Sequence, residues 1–167
     1  MDMISTLKNL CSGPWLTKAR FPRSTMQAIE RAIAASERSH SGEVRFAVEA
    51  ALPLAHLLRG VNARGRAIEL FSQLRIWDTE QNNGVLIYLL LAEHDVEIVA
   101  DRGVHARVGS AAWEAICHEM ETEFRAGRFE AGVLAGIARI TALLQQHFPL
   151  GEQQTNDNEL PDAPLAL

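Results

Sequence analysis

The sequence predicts an α/β fold, a three-layer α/β/α sandwich in which helices flank a small mixed sheet. Two segments with strand patterning, at 43–50 and 85–91, lie between stretches with helical periodicity, and a third strand follows at 96–100. The predicted order is therefore helix, strand, helix, strand, strand, helix, helix. A chain of 167 residues with 47% hydrophobic residues is sufficient for one domain with a sizeable core.

The first half of the chain gives two helices and a strand. Ser24 and Gln27 match a capping box, and apolar residues recur at helical spacing from there to about Ser39. Residues 43–50 alternate between apolar and other side chains, which is typical of a strand. A second amphipathic helix covers roughly residues 61–74.

The second half predicts the centre of the sheet and two further helices. Residues 85–91 are apolar throughout, which indicates a central strand that is covered on both faces. A short turn at His94 and Asp95 makes the second and third strands a β-hairpin, whereas the helical crossover makes the first and second strands parallel. Helices follow after Ser110 and at about 129–147.

The two ends of the chain differ in composition from the region between them. We predict an N-terminal arm at 1–23, a domain at 24–149 and a disordered acidic tail at 150–167. The tail holds four acidic residues and no Lys or Arg, so the remaining chain carries only about −1 of the formal charge of −5. A nearly neutral body gives no electrostatic reason to bind nucleic acid.

The sequence contains no pattern typical of export or of membrane insertion. Its N-terminal residues lack a continuous apolar stretch, and the longest apolar run, 85–92, is far shorter than the ~20 residues that span a bilayer. The two cysteines lie far apart and form no CxxC pair, so nothing in the sequence supports a thiol-redox site or a zinc knuckle. We therefore expect a cytoplasmic protein without a transmembrane segment and with reduced cysteines.

Polar residues gather at one edge of the predicted sheet. If Leu91 pairs with Asp95 in the hairpin, Asp101 lies opposite Val85, and the parallel first strand begins at the same edge. This rim collects oxygen-bearing side chains that suit Ca²⁺ or Mg²⁺, namely Glu43, Asp78, Asn82, Asn83 and Asp101, with Arg102 and His105 beside them. The same residues also fit two ordinary turns with a surface ion pair between Asp101 and Arg102, and this alternative stays open.

Three ordered motifs mark the region between residues 24 and 148. The first is Trp77-Asp-Thr-Glu-Gln-Asn-Asn-Gly before the apolar strand, and the second is Val96-Glu-Ile-Val-Ala-Asp-Arg-Gly at the end of the third strand. The third is a late pattern formed by Phe124, Gly127, Phe129 and Gly132. Together, in this order and at this spacing, they resemble the motifs of the TPM domain family.

The resemblance implies an α/β/α sandwich and functions described for such domains. These are phosphatase activity, divalent-cation binding, and the assembly and repair of membrane complexes. The chain is similar to short bacterial members that lack a signal peptide and a transmembrane helix and are often associated with LemA-type membrane proteins. It departs from the family after the third strand, where His105 stands at the position of a common Glu. The resemblance leaves the oligomeric state open.

Two functions follow as hypotheses. The segment His118-Glu-Met-Glu-Thr has Thr122 where a metalloprotease helix needs a second His, and neither a P-loop nor a nucleophile elbow occurs. We therefore expect a non-enzymatic interaction module that acts with a membrane-associated, LemA-like protein, with or without a divalent cation at the rim. The alternative is a metal-dependent phosphatase that acts on phosphomonoesters at the same rim.

Overall fold

The computed structural model describes residues 8–9, 12–151 and 154–167, and helices and strands alternate along them. The helices are α1 (Pro14–Arg20), α2 (Arg23–Glu37), α3 (Leu54–Leu58), α4 (Ala63–Gln73), α5 (Arg102–Val108), α6 (Ser110–Arg125) and α7 (Phe129–His147). The strands are β1 (Glu43–Glu49), β2 (Gly84–Leu90), β3 (Asp95–Ala100) and β4 (Leu165–Ala166). This order agrees with the predicted one, to which the structure adds three short helices and one short strand.

The strands form one mixed sheet in the order β3-β2-β1-β4. β1 and β2 run parallel over seven residues each, from the pair Glu43 and Gly84 to the pair Glu49 and Leu90. β2 and β3 pair as an antiparallel hairpin. The predicted mixed sheet, with one parallel unit and one hairpin, is thus confirmed, and α3 and α4 lie in the parallel crossover.

Helices cover both faces of the sheet. On one face α2, α6 and α7 pack against apolar side chains that include Val44, Phe46 and Ile87. On the other face α4 packs against Leu86 and Tyr88. Every residue of β2 is buried, as its continuous apolar sequence predicted. Among the described residues, no helix combines the length and the apolar character needed to cross a bilayer.

A buried polar network joins α4 to the sheet. The guanidinium of Arg66 forms two hydrogen bonds with Glu49, at 2.9 Å from Nε to Oε2 and 3.1 Å from Nη2 to Oε1. The hydroxyl of Tyr88 donates to the same Glu49 carboxylate at 2.7 Å, and Arg66 also reaches Glu69. Arg66 and Glu49 are 8% and 4% exposed, so this pair is a buried connection between a helix and a strand.

The described part of the N-terminal arm contributes to the core. α1 lies within it, and the Phe21 side chain that follows is only 4% exposed. The centroid of its ring lies 5.7 Å from that of Phe46 and 6.0 Å from that of Phe129. Pro22 precedes α2 and no side chain caps this helix, so the predicted capping box that begins at Ser24 is wrong. An aromatic anchor, which the sequence pattern did not reveal, fixes this segment.

The C-terminal residues 154–167, which we call the strap, return to the sheet instead of forming the predicted disordered tail. β4 pairs in parallel with β1, and the N–H of Leu167 donates to the carbonyl of Val48 at 2.9 Å. Leu160 is 9% exposed and joins the core on the α4 side, with Leu165 packed against it. Leu160 and Leu165 thus dock together with hydrogen bonds from the same segment, and the low apolar content of this segment explains why composition predicted disorder.

We expect Arg66→Ala to lower the free energy of unfolding by about 3–5 kcal/mol. The substitution leaves the buried Glu49 carboxylate without its guanidinium partner. Urea unfolding followed by circular dichroism measures the change.

The matched control is Arg139→Ala, because Arg139 and its partner Glu119 are both about half exposed. Such a surface pair contributes about 1 kcal/mol or less. Equal losses for the two variants would show that burial of the Arg66 pair has no energetic role.

Candidate functional site

Three segments meet at the rim, the edge of the sheet where β1 and β2 begin and β3 ends. The N–H of Glu43 donates to the carbonyl of Asn83 at 3.3 Å, and the N–H of Asp101 donates to the carbonyl of Gly84 at 2.8 Å. These backbone contacts join the start of β1, the loop before β2 and the residue after β3. The predicted meeting of the three segments is therefore present in the structure.

The predicted hairpin register is wrong by one residue. Val85 pairs with Ala100, and Leu90 pairs with Asp95, so Asp101 lies opposite Gly84. The connection contains four residues, 91–94, where the prediction allowed three, and backbone hydrogen bonds close it as a turn. The longer turn moves Asp101 one position further along the edge, beyond the paired residues of the hairpin.

The loop before β2 packs directly against the start of α5. A Cβ atom on Gly103 would lie 2.5 Å from the carbonyl oxygen of Asn82, which is closer than side chains tolerate. Asn82 itself has a φ of 51°, a left-handed conformation that asparagine adopts more readily than most residues. Glycine at 103 and asparagine at 82 thus allow the two segments to approach and form one wall.

Four of the predicted site residues line one surface depression of about 560 Å³, namely Asp78, Asn82, Asp101 and Arg102. Trp77, which is 51% exposed, lies beside them, and Phe71 and Thr79 also contribute to the lining. The depression therefore contains two carboxyl groups, an amide, a guanidinium and an exposed indole.

Asp101 is the most constrained of these residues. Its Oδ1 accepts a hydrogen bond from the N–H of Arg102 at 2.6 Å and caps α5. The residue is only 6% exposed, and its Oδ2 has no hydrogen-bond partner among the described residues. A buried carboxylate oxygen that lacks a partner is costly, and it is available to a cation or to a donor group.

Asn83 holds the rim together and does not line the depression. It is fully buried, and its Nδ2 donates to the carbonyl of Ser41 at 2.7 Å. Its N–H donates to the hydroxyl of Thr79 at 3.0 Å. Thr79, which sequence reasoning missed, is 6% exposed, and nothing in its polar surroundings distinguished it from a solvated loop residue. The Thr79 hydroxyl thus closes the loop on itself, and the Asn83 side chain joins the loop to the segment before β1.

Glu43 and His105 lie away from the depression. Glu43 is fully buried, and its Oε2 accepts the N–H of Leu160 from the strap at 3.0 Å. Burial is the main cause that raises the pKa of this carboxyl group. His105 is exposed and lines a separate groove of about 450 Å³ beside β3, together with Trp113 and Cys117. The structure thus divides the predicted site residues among four environments: the depression, the buried interior of the rim at Asn83, the strap at Glu43 and the groove at His105.

The depression contains hard oxygen donors, but its described side chains do not form a complete set of metal ligands. Within the described ranges, no group of three or more His, Cys, Asp or Glu side chains could hold a metal ion. Asp78 and Asp101 offer two carboxylates, and Asn82 offers an amide oxygen. Oxygen donors of this kind suit Ca²⁺ or Mg²⁺, and water completes the coordination of such ions where protein ligands are few.

Comparisons with known proteins agree on the fold. The solution structure of the BA42 protein from the psychrophilic bacterium Bizionia argentinensis matches with a TM-score of 0.75 and 26% identity, over 86% of this chain and 93% of that one. The N-terminal domain of a protein from P. gingivalis matches with a TM-score of 0.61 and 19% identity, over 78% and 82% of the two chains. A search of curated proteins gives no significant match.

A family model described as the TPM domain matches residues 18–143, which include α2 to α6, the β1–β3 sheet and most of α7. The match covers the loop before β2, the turn after β3 and the start of α7, where the three motifs of the sequence lie. The chain therefore belongs to the TPM domain family.

Proposed function

We propose that this TPM domain is a non-enzymatic interaction module that binds a membrane-associated protein and carries a hydrated Ca²⁺ or Mg²⁺ ion in the rim depression. The observation that carries the proposal is the buried Oδ2 of Asp101, which lacks a partner among the described residues and belongs to a depression shared with Asp78 and Asn82. We place the domain in the cytoplasm, where its cysteines stay reduced.

Charge supports a cation in this depression. Asp78 and Asp101 contribute two negative charges, and Arg102 contributes one positive charge, so the lining has a net negative charge. A bound cation would satisfy the free oxygen of Asp101 and reduce the repulsion between the two carboxylates. Arg102 is exposed, and its side chain has room to turn towards solvent when the cation binds.

The other polar groups of the rim support binding better than catalysis. Asn83 and Thr79 are occupied with hydrogen bonds to the backbone, and one oxygen of Asp101 caps a helix. A serine or threonine nucleophile needs a base within hydrogen-bond reach, and the lining of the depression offers Ser72 and Thr79 without a histidine beside them. Most of these polar groups therefore stabilise the structure of the rim itself.

Trp77 supports a protein partner. It is 51% exposed beside the depression, and exposed tryptophans are enriched among the residues that contribute most to protein interfaces. The family resemblance to proteins associated with LemA-type membrane proteins suggests that this partner is membrane-associated. Trp77 and the cation would then form one continuous contact surface.

A metal-dependent phosphatase is the second candidate. Arg102 and Asp101 share the depression, so a phosphate group there would meet a guanidinium and, with a bound ion, a metal. In this case the same cation would polarise a phosphomonoester instead of completing a contact surface.

Asp101→Asn should reduce cation affinity at least about tenfold, because it removes one of two carboxylates while asparagine still caps the helix. Calorimetric titration of the pure protein with Ca²⁺ and Mg²⁺ should give a Kd of about 10⁻⁴–10⁻³ M for the unchanged protein.

The matched control is Glu80→Gln, an exposed carboxylate in the same loop that does not line the depression. It should bind the cations as the unchanged protein does. Absence of binding heat for both ions, or equal affinities for Asp101→Asn and Glu80→Gln, would remove the cation from the proposal.

We expect no metal-dependent turnover of a phosphomonoester such as p-nitrophenyl phosphate. Hydrolysis would be followed with Mg²⁺, with Ca²⁺ and with EDTA, using the unchanged protein and Asp101→Asn. Turnover that needs the metal and disappears in the variant would replace the interaction module with the phosphatase.

Trp77→Ala should weaken binding of the membrane partner at least about thirtyfold and so reduce its recovery from solubilised native membranes, since tryptophan anchors contribute about 2 kcal/mol or more to an interface. Trp15→Ala is the matched control, because Trp15 is 64% exposed on α1 and lies outside the depression. Equal recovery with both variants would contradict a partner surface at the rim.

A further inference from the structure

Four ionisable side chains interact where the strap covers the start of β1: Glu37 with Glu43 and Asp162, and Arg45 with Glu37 and Asp162. Glu37 ends α2, Glu43 and Arg45 belong to β1, and Asp162 belongs to the strap. Glu37, Glu43 and Arg45 are 4%, 0% and 8% exposed, and Asp162 is partly buried. The cluster therefore places three carboxyl groups and one guanidinium in a region with little water.

Hydrogen bonds satisfy only part of this cluster. Glu37 accepts the N–H of Val44 at 2.8 Å through Oε1, and Glu43 accepts the N–H of Leu160 through Oε2. With all three carboxyl groups ionised, four buried polar atoms have no hydrogen-bond partner among the described residues: Oε2 of Glu37, Oε1 of Glu43, Nη1 of Arg45 and Oδ1 of Asp162. When Glu37 carries a proton, its side chain can hydrogen-bond to that of Asp162. Full ionisation would leave three negative charges against one positive charge, which burial penalises strongly.

Protonation of Glu37 relieves this excess. Burial, followed by the nearby charges of Glu43 and Asp162, raises the pKa of Glu37 from its ordinary 4.5 to about 9. The group thus carries a proton at neutral pH, which reduces repulsion towards Asp162. Buried His40 has a pKa lowered to about 4 and adds no charge there.

Few other contacts hold the strap in place. β4 pairs over two residues, and Leu160 is the only described strap residue that is buried. Asn156 donates to the carbonyls of His40 and Gly42, and Glu159 accepts the N–H of Glu80 at the exposed surface. Because these contacts are few, their combined free energy is comparable with the free energy change when one group of the cluster gains a charge.

We propose that the strap is proton-gated: it covers the edge of β1 while Glu37 is protonated, and it leaves that edge when Glu37 ionises. Asp162 is the only one of the three carboxyl groups on the movable segment, so separation of the strap relieves the repulsion. This inference does not depend on the proposed cation or partner.

A cavity beside Glu37 provides access for water. It measures about 380 Å³, lies between α2 and the strap, and is lined by Glu37, Arg38 and Asn156 among others. Solvent can therefore reach the carboxyl group before the strap separates. The cations near the cluster are Arg45 within it and exposed Arg38 at the cavity, and Glu159 is a further acidic group on the strap.

The sign of the pH dependence follows from the raised pKa. Protonated Glu37 makes its full contribution to strap docking below pH 4.5, the ordinary pKa of a glutamate side chain. This contribution is lost as the pH rises through the raised pKa of about 9. Release uncovers backbone groups of β1, and an exposed strand edge is a template for pairing with another extended segment.

The test follows the methyl groups of Leu160 and Leu165 in the full chain by ¹³C NMR between pH 6.5 and 10. The unchanged protein should show both leucines leaving their packed environment around pH 9, while methyl shifts of Ile87 and Ile140 in the main core stay constant. Glu37→Gln keeps an oxygen that accepts from Val44 and cannot ionise. Its strap should stay docked, with a released population about tenfold smaller at pH 10.

Two further variants separate charge from general damage. Asp157→Asn removes an exposed strap carboxylate and should behave as the unchanged protein. Asp162→Asn removes the strap charge that faces Glu37 and should reduce release at pH 10, even if Glu37→Gln does not fold. Constant Leu160 methyl shifts in the unchanged protein, the same transition in all variants, or simultaneous loss of the Ile87 and Ile140 signals would overturn the proposal.

Discussion

The parallel pairing of β1 with β2 is the interaction on which the rest of the structure depends. It brings the start of β1 beside the start of β2, and the hairpin then returns β3 to the same edge. The rim exists only because these three ends coincide. The pairing also places β1 between a central strand and the strap, so that all seven of its residues are buried.

Burial of β1 creates a problem because its sequence alternates charged and apolar residues. Towards its end, Glu49 is matched by Arg66 and Tyr88, and the carboxylate accepts a hydrogen bond on both oxygens. At its start, Glu43 and Arg45 lack such partners for part of their polar atoms. One strand thus contains a satisfied network that stabilises the α4 layer and an unsatisfied one under the strap. This difference explains why the network at Glu49 can stabilise the fold while the cluster at Glu43 and Arg45, a few residues away, can respond to pH.

The sequence predicted the parts that depend on local patterning. The apolar run of β2 indicated a strand covered on both faces, and simple strand geometry then placed Asp78, Asn82 and Asp101 near one another. The direction in which side chains point was harder to predict. Glu43 lies at the rim, but its carboxyl group accepts a hydrogen bond from the strap, because alternation along β1 places this side chain on the α4 side of the sheet. The contact between Glu43 and Leu160 joins residues 117 positions apart, and no periodicity encodes such a pair. The predicted hairpin register was wrong for a related reason, since turn length depends on backbone conformation that the types of residues 91–94 do not determine.

The parallel orientation of β4 also has a practical consequence for attaching probes to the protein. β4 meets β1 at Ala47 and Val48, in the second half of the strand, whereas the rim lies at Glu43. Residues added after Leu167 would therefore leave the sheet at the end opposite the depression. A fluorophore or an immobilisation handle attached there would leave the rim accessible, and its emission or its exposure would change whenever the strap moved.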